Sequence, residues 1–336
     1  MGGTDTLNVI AAAALAEGYT ASNIETVQIT DAITTAADVA HSVAGVTNLS
    51  TLTIKGDNNA VKTTTINGAK STVSVVIDGQ VDGTIALVYT DAAAAGDQAA
   101  TITYKGGVGD AGTDMTAAGI ETVSLVTNGS LSKVGTLTFA AAKTVSIAAD
   151  EAFTIADLTL ANAATTTLTI SGDSKVTATV ATNDGALTAI NVSGAASYVQ
   201  GDALGGTSAL VVTATDAASL DVSTGTATHK ITGGSGVDHV NIGSTVLTTG
   251  TVNGGDGAAD ILAISDSTAT VFTTAAKAQI SNFEILEISG GTKTFDFASL
   301  TGLTGLTIGT ATAATVTVKA RMGFDRIKKV FKNALN

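Results

Sequence analysis

The sequence contains no cysteine, no proline and no tryptophan, and aromatic residues make up only 4% of its 336 positions. Without cysteine, the chain can form neither disulfides nor thiolate metal sites. Because large aromatic side chains are scarce, the interior must be built from alanine, valine, isoleucine and leucine. Small aliphatic side chains of this kind favour thin stacked layers over one large globular core.

Charged residues are also few, at 13% of the chain, and their balance is acidic, with a net charge of −13. Nucleic-acid binding requires a basic face, so this composition argues against a nucleic-acid partner. The acidic residues mostly occur singly beside glycine or asparagine. This distribution favours separate oxygen ligands for a hard cation such as Ca²⁺.

Long hydrophobic runs are missing as well. The longest, residues 9–16, is too short to span a bilayer. The first residues, MGGTDTLN, lack the basic start and apolar core of a cleavable signal peptide. We therefore expect either a protein that stays inside the cell or one that is exported without an N-terminal signal.

Short alternations of apolar and polar residues recur along the chain and predict β-strands, as at 145–147 (VSI), 168–170 (LTI) and 190–192 (INV). Neighbouring strands are about 10 residues apart and every second one about 20, a spacing typical of β-helix coils. We predict an all-β fold, a parallel β-helix or β-solenoid with a few short helices. An antiparallel sandwich shows similar strand spacing and is the alternative.

A longer unit recurs three times: a glycine turn with an aspartate, a stretch expected to form a short helix, and a strand marked by glutamate. Its helical stretches include 11–18 (AAAALAEG) and 273–279 (TTAAKAQ), and its glutamates, Glu25, Glu121 and Glu284, are expected to cap or bridge repeats. We divide the chain into a β-rich repeat region with short helices (1–130), a solenoid with glycine–aspartate turns at 233–262 (131–318) and a tail (319–336).

The stretch GGSGVDHVN, residues 233–241, fits the nonapeptide G-G-x-G-x-D-x-U-x at every fixed position. Its glycines permit turn conformations in which backbone carbonyls point at one centre, and its aspartate adds a carboxylate. Such oxygen ligands suit Ca²⁺. The candidate ligands in this turn are Gly233, Gly234, Gly236 and Asp238.

One turn supplies only part of a calcium coordination shell, and GGDGAADIL (254–262) begins about one coil later. If the coils stack, the two turns lie at matching corners and clasp a common ion. The aspartate of the second turn comes one residue late, and an additional carboxylate at Asp256 offsets this. The candidate ligands here are Gly254, Gly255, Asp256, Gly257 and Asp260. Plain solenoid corners without an ion are the alternative interpretation.

Catalytic patterns are absent from the sequence. His41, His229 and His239 are far apart, and none stands in a zinc-binding H-E-x-x-H spacing. The pattern G-x-S-x-G of a nucleophile elbow does not occur, and no βαβ unit surrounds the glycine turns. We predict that the protein is not an enzyme.

With GGSGVDHVN, GGDGAADIL, GGTDTLNV (2–9) and the strands NIETVQI, GIETVSL and NFEILEI, the chain resembles the bacterial RTX-type S-layer proteins. The resemblance implies calcium-dependent folding after type I export with an uncleaved C-terminal signal. It also implies assembly into a two-dimensional lattice on the cell surface. Two features depart from the family, because no separate anchoring domain is evident and the basic tail is unlike the usual export signal.

The leading hypothesis is thus an extracellular, cell-surface structural protein whose copies form a calcium-dependent lattice. Its expected partners are its own copies and an outer cell-surface polysaccharide, with no nucleic acid. Two alternatives stay open. The chain is an adhesin or surface-binding module, or it is the calcium-binding repeat section of a larger secreted protein.

The tail differs in composition from the rest of the chain, with six of the 16 basic residues between 319 and 336. Its apolar residues follow helical spacing and predict a basic amphipathic helix: Phe324, Ile327, Phe331 and Leu335. Such a helix binds an anionic membrane or a partner groove, and this is the one membrane contact that the sequence suggests. A solvated helix or an appended peptide is the alternative.

Overall fold

The computed structural model describes residues 4–16, 18–33, 36–57, 62–81, 83–94, 96–105, 113–160, 167–180, 187–205, 209–243, 245–264, 274–288, 294–296, 300–308 and 317–319. The chain divides into two compact units, residues 1–187 and 188–336.

In the first unit the described secondary structure consists of strands. They are β1 (Thr6–Ala11), β2 (Thr26–Asp31), β3 (Val39–Ser42), β4 (Thr51–Asp57), β5 (Thr63–Asn67), β6 (Ser74–Val81), β7 (Thr84–Val88), β8 (Ala99–Lys105), β9 (Asp114–Ala117), β10 (Thr122–Asn128), β11 (Ser132–Thr138), β12 (Thr144–Ala149), β13 (Phe153–Thr159), β14 (Thr167–Gly172) and β15 (Lys175–Val180).

The second unit has shorter strands and one short helix. They are β16 (Ala189–Val192), β17 (Ser197–Ala203), β18 (Val211–Ala214), β19 (Ser219–Ser223), β20 (Lys230–Thr232), β21 (His239–Asn241), β22 (Thr251–Asn253), β23 (Ile261–Ile264), α1 (Thr274–Lys277), β24 (Ile280–Ser281), β25 (Ile285–Ile288), β26 (Thr294–Asp296), β27 (Gly305–Ile308) and β28 (Thr317–Lys319).

The strands of each unit alternate between two parallel sheets. In the first unit the sheet orders are β1-β2-β4-β6-β8-β10-β12-β14 and β3-β5-β7-β9-β11-β13-β15. In the second they are β16-β18-β20-β22-β24 and β17-β19-β21-β23-β25-β27, with β26 and β28 forming a separate pair. Each coil thus gives one strand to each sheet, and the architecture is a parallel β-solenoid.

Parallel pairing in register holds the coils together, with a local shift in β4 between Lys55 and Asp57. Thr26 pairs with Thr51, and Thr51 pairs with Ser74, so one coil takes about 20 to 25 residues. Alternate residues of each strand point inward, and Leu52 and Ile54 of β4 are buried. In the same register Leu52 lies between Val27 of β2 and Val75 of β6. The interior is therefore a set of aliphatic columns that run along the stack.

Many corners share one backbone feature, a left-handed residue three positions before a strand begins. Only glycine, asparagine and aspartate adopt this conformation readily. These residues all have positive φ: Asn23, Asn48, Gly96, Gly119, Gly129, Gly194, Asp216, Asn282 and Gly302. The asparagine and glycine that open NIETV, GIETV and NFEIL are therefore required by the backbone turn.

The parallel β-solenoid predicted from the sequence is confirmed, and the antiparallel alternative is wrong, because the strand pairs are parallel. The strands predicted at 145–147, 168–170 and 190–192 lie in β12, β14 and β16.

One helix expectation is confirmed and another is wrong. Helix α1 lies within 273–279, but residues 11–16 contain no helix. Ala11 instead ends β1, and its carbonyl accepts a hydrogen bond from the Ala32 N–H at 3.0 Å. Pairing with the next coil overrides the helical preference of alanine here.

Two further expectations concern the C-terminal tail and membrane-spanning helices. Lys319 ends β28, but residues 320–336 lie outside the described residues, so the amphipathic helix stays a prediction. No helix in the described part of the chain is long and apolar enough to cross a bilayer.

Adjacent residues of β10 test the inward and outward alternation. Leu125 is fully buried and Ser124 faces outward. We expect Leu125→Ala to lower the free energy of unfolding by about 2–5 kcal/mol, because it removes buried methyl groups and leaves a cavity. Ser124→Ala should change it by less than about 0.5 kcal/mol. Urea denaturation followed by circular dichroism measures both, and equal losses would contradict the assigned orientation of β10.

Candidate metal centre at the glycine corners

The two glycine turns lie at matching corners of consecutive coils, as the sequence predicts. The Gly233 N–H donates to the Asn253 carbonyl at 2.9 Å, and the Asp256 N–H donates to the Gly234 carbonyl at 2.8 Å. Strand β21, which follows the first turn, pairs in register with β23, which follows the second. The stacking on which the proposed clasp depends is therefore present.

These glycines are needed chiefly for close packing between coils. A Cβ at Gly233 would collide with the Gly254 carbonyl, and a Cβ at Gly254 would collide with the Asn282 carbonyl. Of the six candidate glycines, only Gly255 has a positive φ, at 101°. The reason inferred from the sequence, unusual turn conformations, thus applies to Gly255 alone.

A ladder of carboxylates runs across these corners, one on each coil, just before the strand. The Glu284 carboxylate accepts the Asp260 N–H at 2.9 Å, and the Asp260 carboxylate accepts the Asp238 N–H at 2.9 Å. The Asp238 carboxylate in turn accepts the Leu220 N–H at 2.7 Å. Each carboxylate therefore ties its own coil to the preceding one.

Asp238 is completely buried, and both of its carboxylate oxygens accept backbone hydrogen bonds. Oδ1 takes the bond from Leu220, and Oδ2 accepts the Gly234 N–H at 3.0 Å. Burial raises the pKa of Asp238 to about 7, and the nearby Asp260 charge adds to the rise, although the two backbone bonds oppose it. The folded chain thus holds a carboxylate that resists ionisation near neutral pH.

Asp260 is also fully buried, but its hydrogen bonding is incomplete. Oδ1 accepts the Asp238 N–H, whereas Oδ2 has no hydrogen-bond partner. Burial raises the pKa of Asp260, and the Glu284 charge raises it further. Both carboxylate oxygens and the Gly236 carbonyl surround the small space that a Cβ on Gly257 would occupy. Three oxygens from two coils therefore converge at this corner.

The third predicted carboxylate, Asp256, lies elsewhere. Its side chain is exposed and lines an outer cleft of about 480 Å³. Asp216, Asn253 and Asn282 line the same cleft. Asp256 therefore faces solvent, whereas Asp238 and Asp260 are enclosed.

The donor set at the enclosed corner fits Ca²⁺, which prefers carboxylate and carbonyl oxygens in irregular geometry. Asp260 Oδ2 is a free acceptor at this corner. Within the described ranges no group of three or more acidic or histidine side chains surrounds a single point. A complete shell of six to eight ligands therefore requires backbone carbonyls and water in addition to the two aspartates.

The three histidines occupy separate places. His41 and His229 are fully buried. His239 is on the outer face, and its Nδ1 lies 2.8 Å from Asp221 Oδ1 on the preceding coil. The prediction that the protein is not an enzyme stays a prediction.

The marked glutamates bridge repeats, as expected from the sequence. Glu25 accepts the Asp5 N–H and Glu121 accepts the Gln98 N–H, each at 2.8 Å. Glu284 does the same for Asp260, and this places a further carboxylate beside the candidate site. The sequence interpretation did not include Glu284 in that site, although the shared N-x-E pattern carried the signal.

No known family model matches the chain, and neither a curated protein nor a solved structure matches it. The chain is a parallel β-solenoid in which two stacked glycine–aspartate corners enclose the carboxylates of Asp238 and Asp260.

The raised pKa of Asp238 predicts how pH affects the ion-free protein. Its folded-state pKa of about 7 exceeds the ordinary value of 3.8. The stability that the protonated form contributes is therefore fully present below about pH 4 and is lost as the pH rises through about 7. With a chelator present, we expect the melting temperature to fall by several degrees between about pH 5 and about pH 8.

The variant Asp238→Asn separates this effect from other titrations, because its amide has no proton to lose. We expect a smaller fall in melting temperature for Asp238→Asn than for the parent chain. The exposed Asp150→Asn is the matched control and should keep the full fall. An equal fall in all three proteins would contradict the assignment to Asp238.

Proposed function

We propose that the chain is a structural subunit of a bacterial surface layer and that calcium bound at the 233–262 corners stabilises it for self-assembly. The resemblance of the sequence to RTX-type S-layer proteins supports the lattice. The convergence of both Asp260 carboxylate oxygens and the Gly236 carbonyl supports the ion. On this proposal the protein acts outside the cell, where calcium is abundant.

One observation carries the proposal for calcium, the unpartnered Oδ2 of the fully buried Asp260. A buried polar atom without a partner costs free energy, and a buried charge costs more. Two further carboxylates, Asp238 and Glu284, belong to the same ladder and add repulsion. A divalent cation at this corner would remove the repulsion and satisfy the free oxygen.

The ligands that we assign are the Asp260 carboxylate, the Gly236 carbonyl and the Asp238 carboxylate. In this account Asp256 binds no ion in the enclosed corner, because its side chain is exposed. Water completes the shell. Sites of this extracellular type have dissociation constants of about 10⁻⁴ to 10⁻³ M. Binding also displaces any proton on Asp238, so the affinity should rise with pH.

Assembly is the second part of the proposal. A net charge of −13 makes copies repel one another, and calcium reduces this repulsion. Stacked coils also present repetitive outer faces, which suit repeated contacts between identical subunits. The partners are therefore other copies of the chain, together with an outer cell-surface polysaccharide that anchors them.

Calcium titration of the full chain tests the proposal, with Asp260→Asn as the test variant and Asp150→Asn as the control. We expect calcium to raise the melting temperature of the parent and the control. The affinity of Asp260→Asn should fall at least about tenfold, because a charged ligand becomes neutral. Isothermal titration calorimetry gives the affinity, and thermal circular dichroism gives the stability.

Light scattering and electron microscopy then test assembly at the same calcium concentrations. Ordered two-dimensional arrays with calcium, dispersed by a chelator, are the expected result. Calcium binding without arrays would favour an adhesin or a repeat section of a larger secreted protein. No binding at millimolar calcium would refute the proposal for the ion.

A further inference from the structure

The interior of the first unit contains a polar cluster that the calcium proposal does not use. Most buried side chains there are aliphatic, yet Lys62 is 1% exposed, His41 0%, Thr64 2% and Asp31 7%. They come from neighbouring coils, with Asp31 at the end of β2, His41 in β3 and Thr64 in β5. Burying a lysine together with an aspartate is costly and therefore needs a reason.

The other three side chains converge on one carboxylate oxygen of Asp31. Lys62 Nζ donates to Asp31 Oδ2 at 2.8 Å, and Thr64 Oγ1 donates to the same oxygen at 3.3 Å. The other oxygen, Oδ1, accepts the Ile33 N–H at 2.8 Å. Lys62 Nζ also donates to the Ile33 carbonyl at 3.2 Å, which fixes the amine beside the carboxyl group.

His41 supplies a proton donor to this arrangement. Its Nδ1 accepts the Leu15 N–H at 3.2 Å, so in the neutral ring the proton is on Nε2. Nε2 lies 3.5 Å from Asp31 Oδ2 and makes no hydrogen bond. The Nε2 nitrogen therefore lies beside the oxygen that also receives the bond from Lys62, without a hydrogen bond to it.

We propose that Lys62 and Asp31 form an intramolecular amide cross-link, an isopeptide bond between Nζ and Cγ. The amine and the carboxyl group are held in contact, as a near-attack arrangement requires. Burial keeps out the water that would compete in the reaction. His41 Nε2 lies beside the leaving oxygen, and the Ile33 N–H donates to the oxygen that stays.

The reaction balances without any other reactant. A proton passes from the ammonium of Lys62 to Asp31 Oδ2, and the free amine then attacks Cγ. The C–N bond forms, and negative charge develops on Oδ1, where the Ile33 N–H stabilises it. The C–Oδ2 bond breaks as His41 donates its Nε2 proton. Oδ2 leaves as water, and a second proton from the attacking nitrogen restores the imidazole.

The ionic pair is the resting state before the bond forms. Burial raises the pKa of Asp31, but the bonds from Lys62 and the Ile33 N–H, with the charge of Lys62, lower it overall. Proton transfer must therefore precede attack. We expect slow, spontaneous formation after folding, which does not depend on calcium.

Intact mass spectrometry of the denatured full chain tests the proposal. After prolonged incubation of the folded protein, the mass should be lower than the sequence mass by one water molecule. Trypsin should no longer cleave after Lys62, and the peptides containing Asp31 and Lys62 should be found joined. The full sequence mass, with normal cleavage after Lys62, would overturn the proposal.

Variants separate the cross-link from other losses of water. Lys62→Arg keeps the positive charge but cannot form this amide, and it should show the full mass. Lys55→Met removes the lysine of a surface pair, in which Nζ lies 3.1 Å from Asp78, and should still lose water. A loss that persists in Lys62→Arg would indicate dehydration elsewhere, such as a succinimide at Asp31, and would also overturn the proposal.

The rate of water loss tests the role of His41. We expect His41→Gln to slow the reaction about 100-fold, the lower range for a general acid–base group. A role in packing alone would lower stability without this change in rate, so thermal denaturation is measured alongside. An unchanged rate would overturn the assignment of the proton relay to His41.

Discussion

Hydrogen bonding between equivalent strands of successive coils, parallel and in register, is the interaction on which the rest of this structure depends. It places equivalent residues about 4.8 Å apart along the stack, so each side chain meets its counterparts above and below. Aliphatic residues such as Val27, Leu52 and Val75 benefit, since each column excludes water along its whole length. The same spacing forces close contact at corners and leaves no room for a Cβ at Gly233 or Gly254.

Charged residues at equivalent positions of such a stack repel one another, because like charges repeat at the same short distance. The acidic residues of this chain occur in two arrangements. The carboxylates of Glu25 and Glu121 each accept a hydrogen bond from a backbone N–H of the preceding coil. Around the glycine corners the same bridging position is occupied on three consecutive coils by Asp238, Asp260 and Glu284, and each of these carboxylates also accepts a backbone N–H. Asp260 Oδ2 is left without a hydrogen-bond donor. We propose that a cation binds there and offsets the negative charge.

The coil repeat and the matching of the two glycine turns could be predicted from the sequence, because both depend on local patterns. The alternation in segments such as 168–170 and the spacing of about 20 residues are visible without coordinates. The exposed position of Asp256 could not be predicted, since it depends on which way one corner residue turns. The helix predicted over 11–18 is wrong for a similar reason. Ala11 takes its conformation from pairing with the neighbouring strand.

The cluster of Asp31, His41 and Lys62 was also beyond the sequence. These residues are 10 and 21 positions apart in the sequence, and only the completed coils bring them together. Residues of this kind in a strand-rich sequence are ordinarily placed on the surface. Their burial is therefore information that only the three-dimensional structure supplies, and it is independent of the glycine corners.

The most direct test of the central claim is a crystal structure of the calcium-soaked protein with anomalous diffraction data. We expect an anomalous peak at the 233–262 corner, within about 2.3–2.6 Å of Asp260 Oδ2 and the Gly236 carbonyl. A corner without an anomalous peak at saturating calcium, with Asp260 Oδ2 satisfied by a proton or by water, would contradict it.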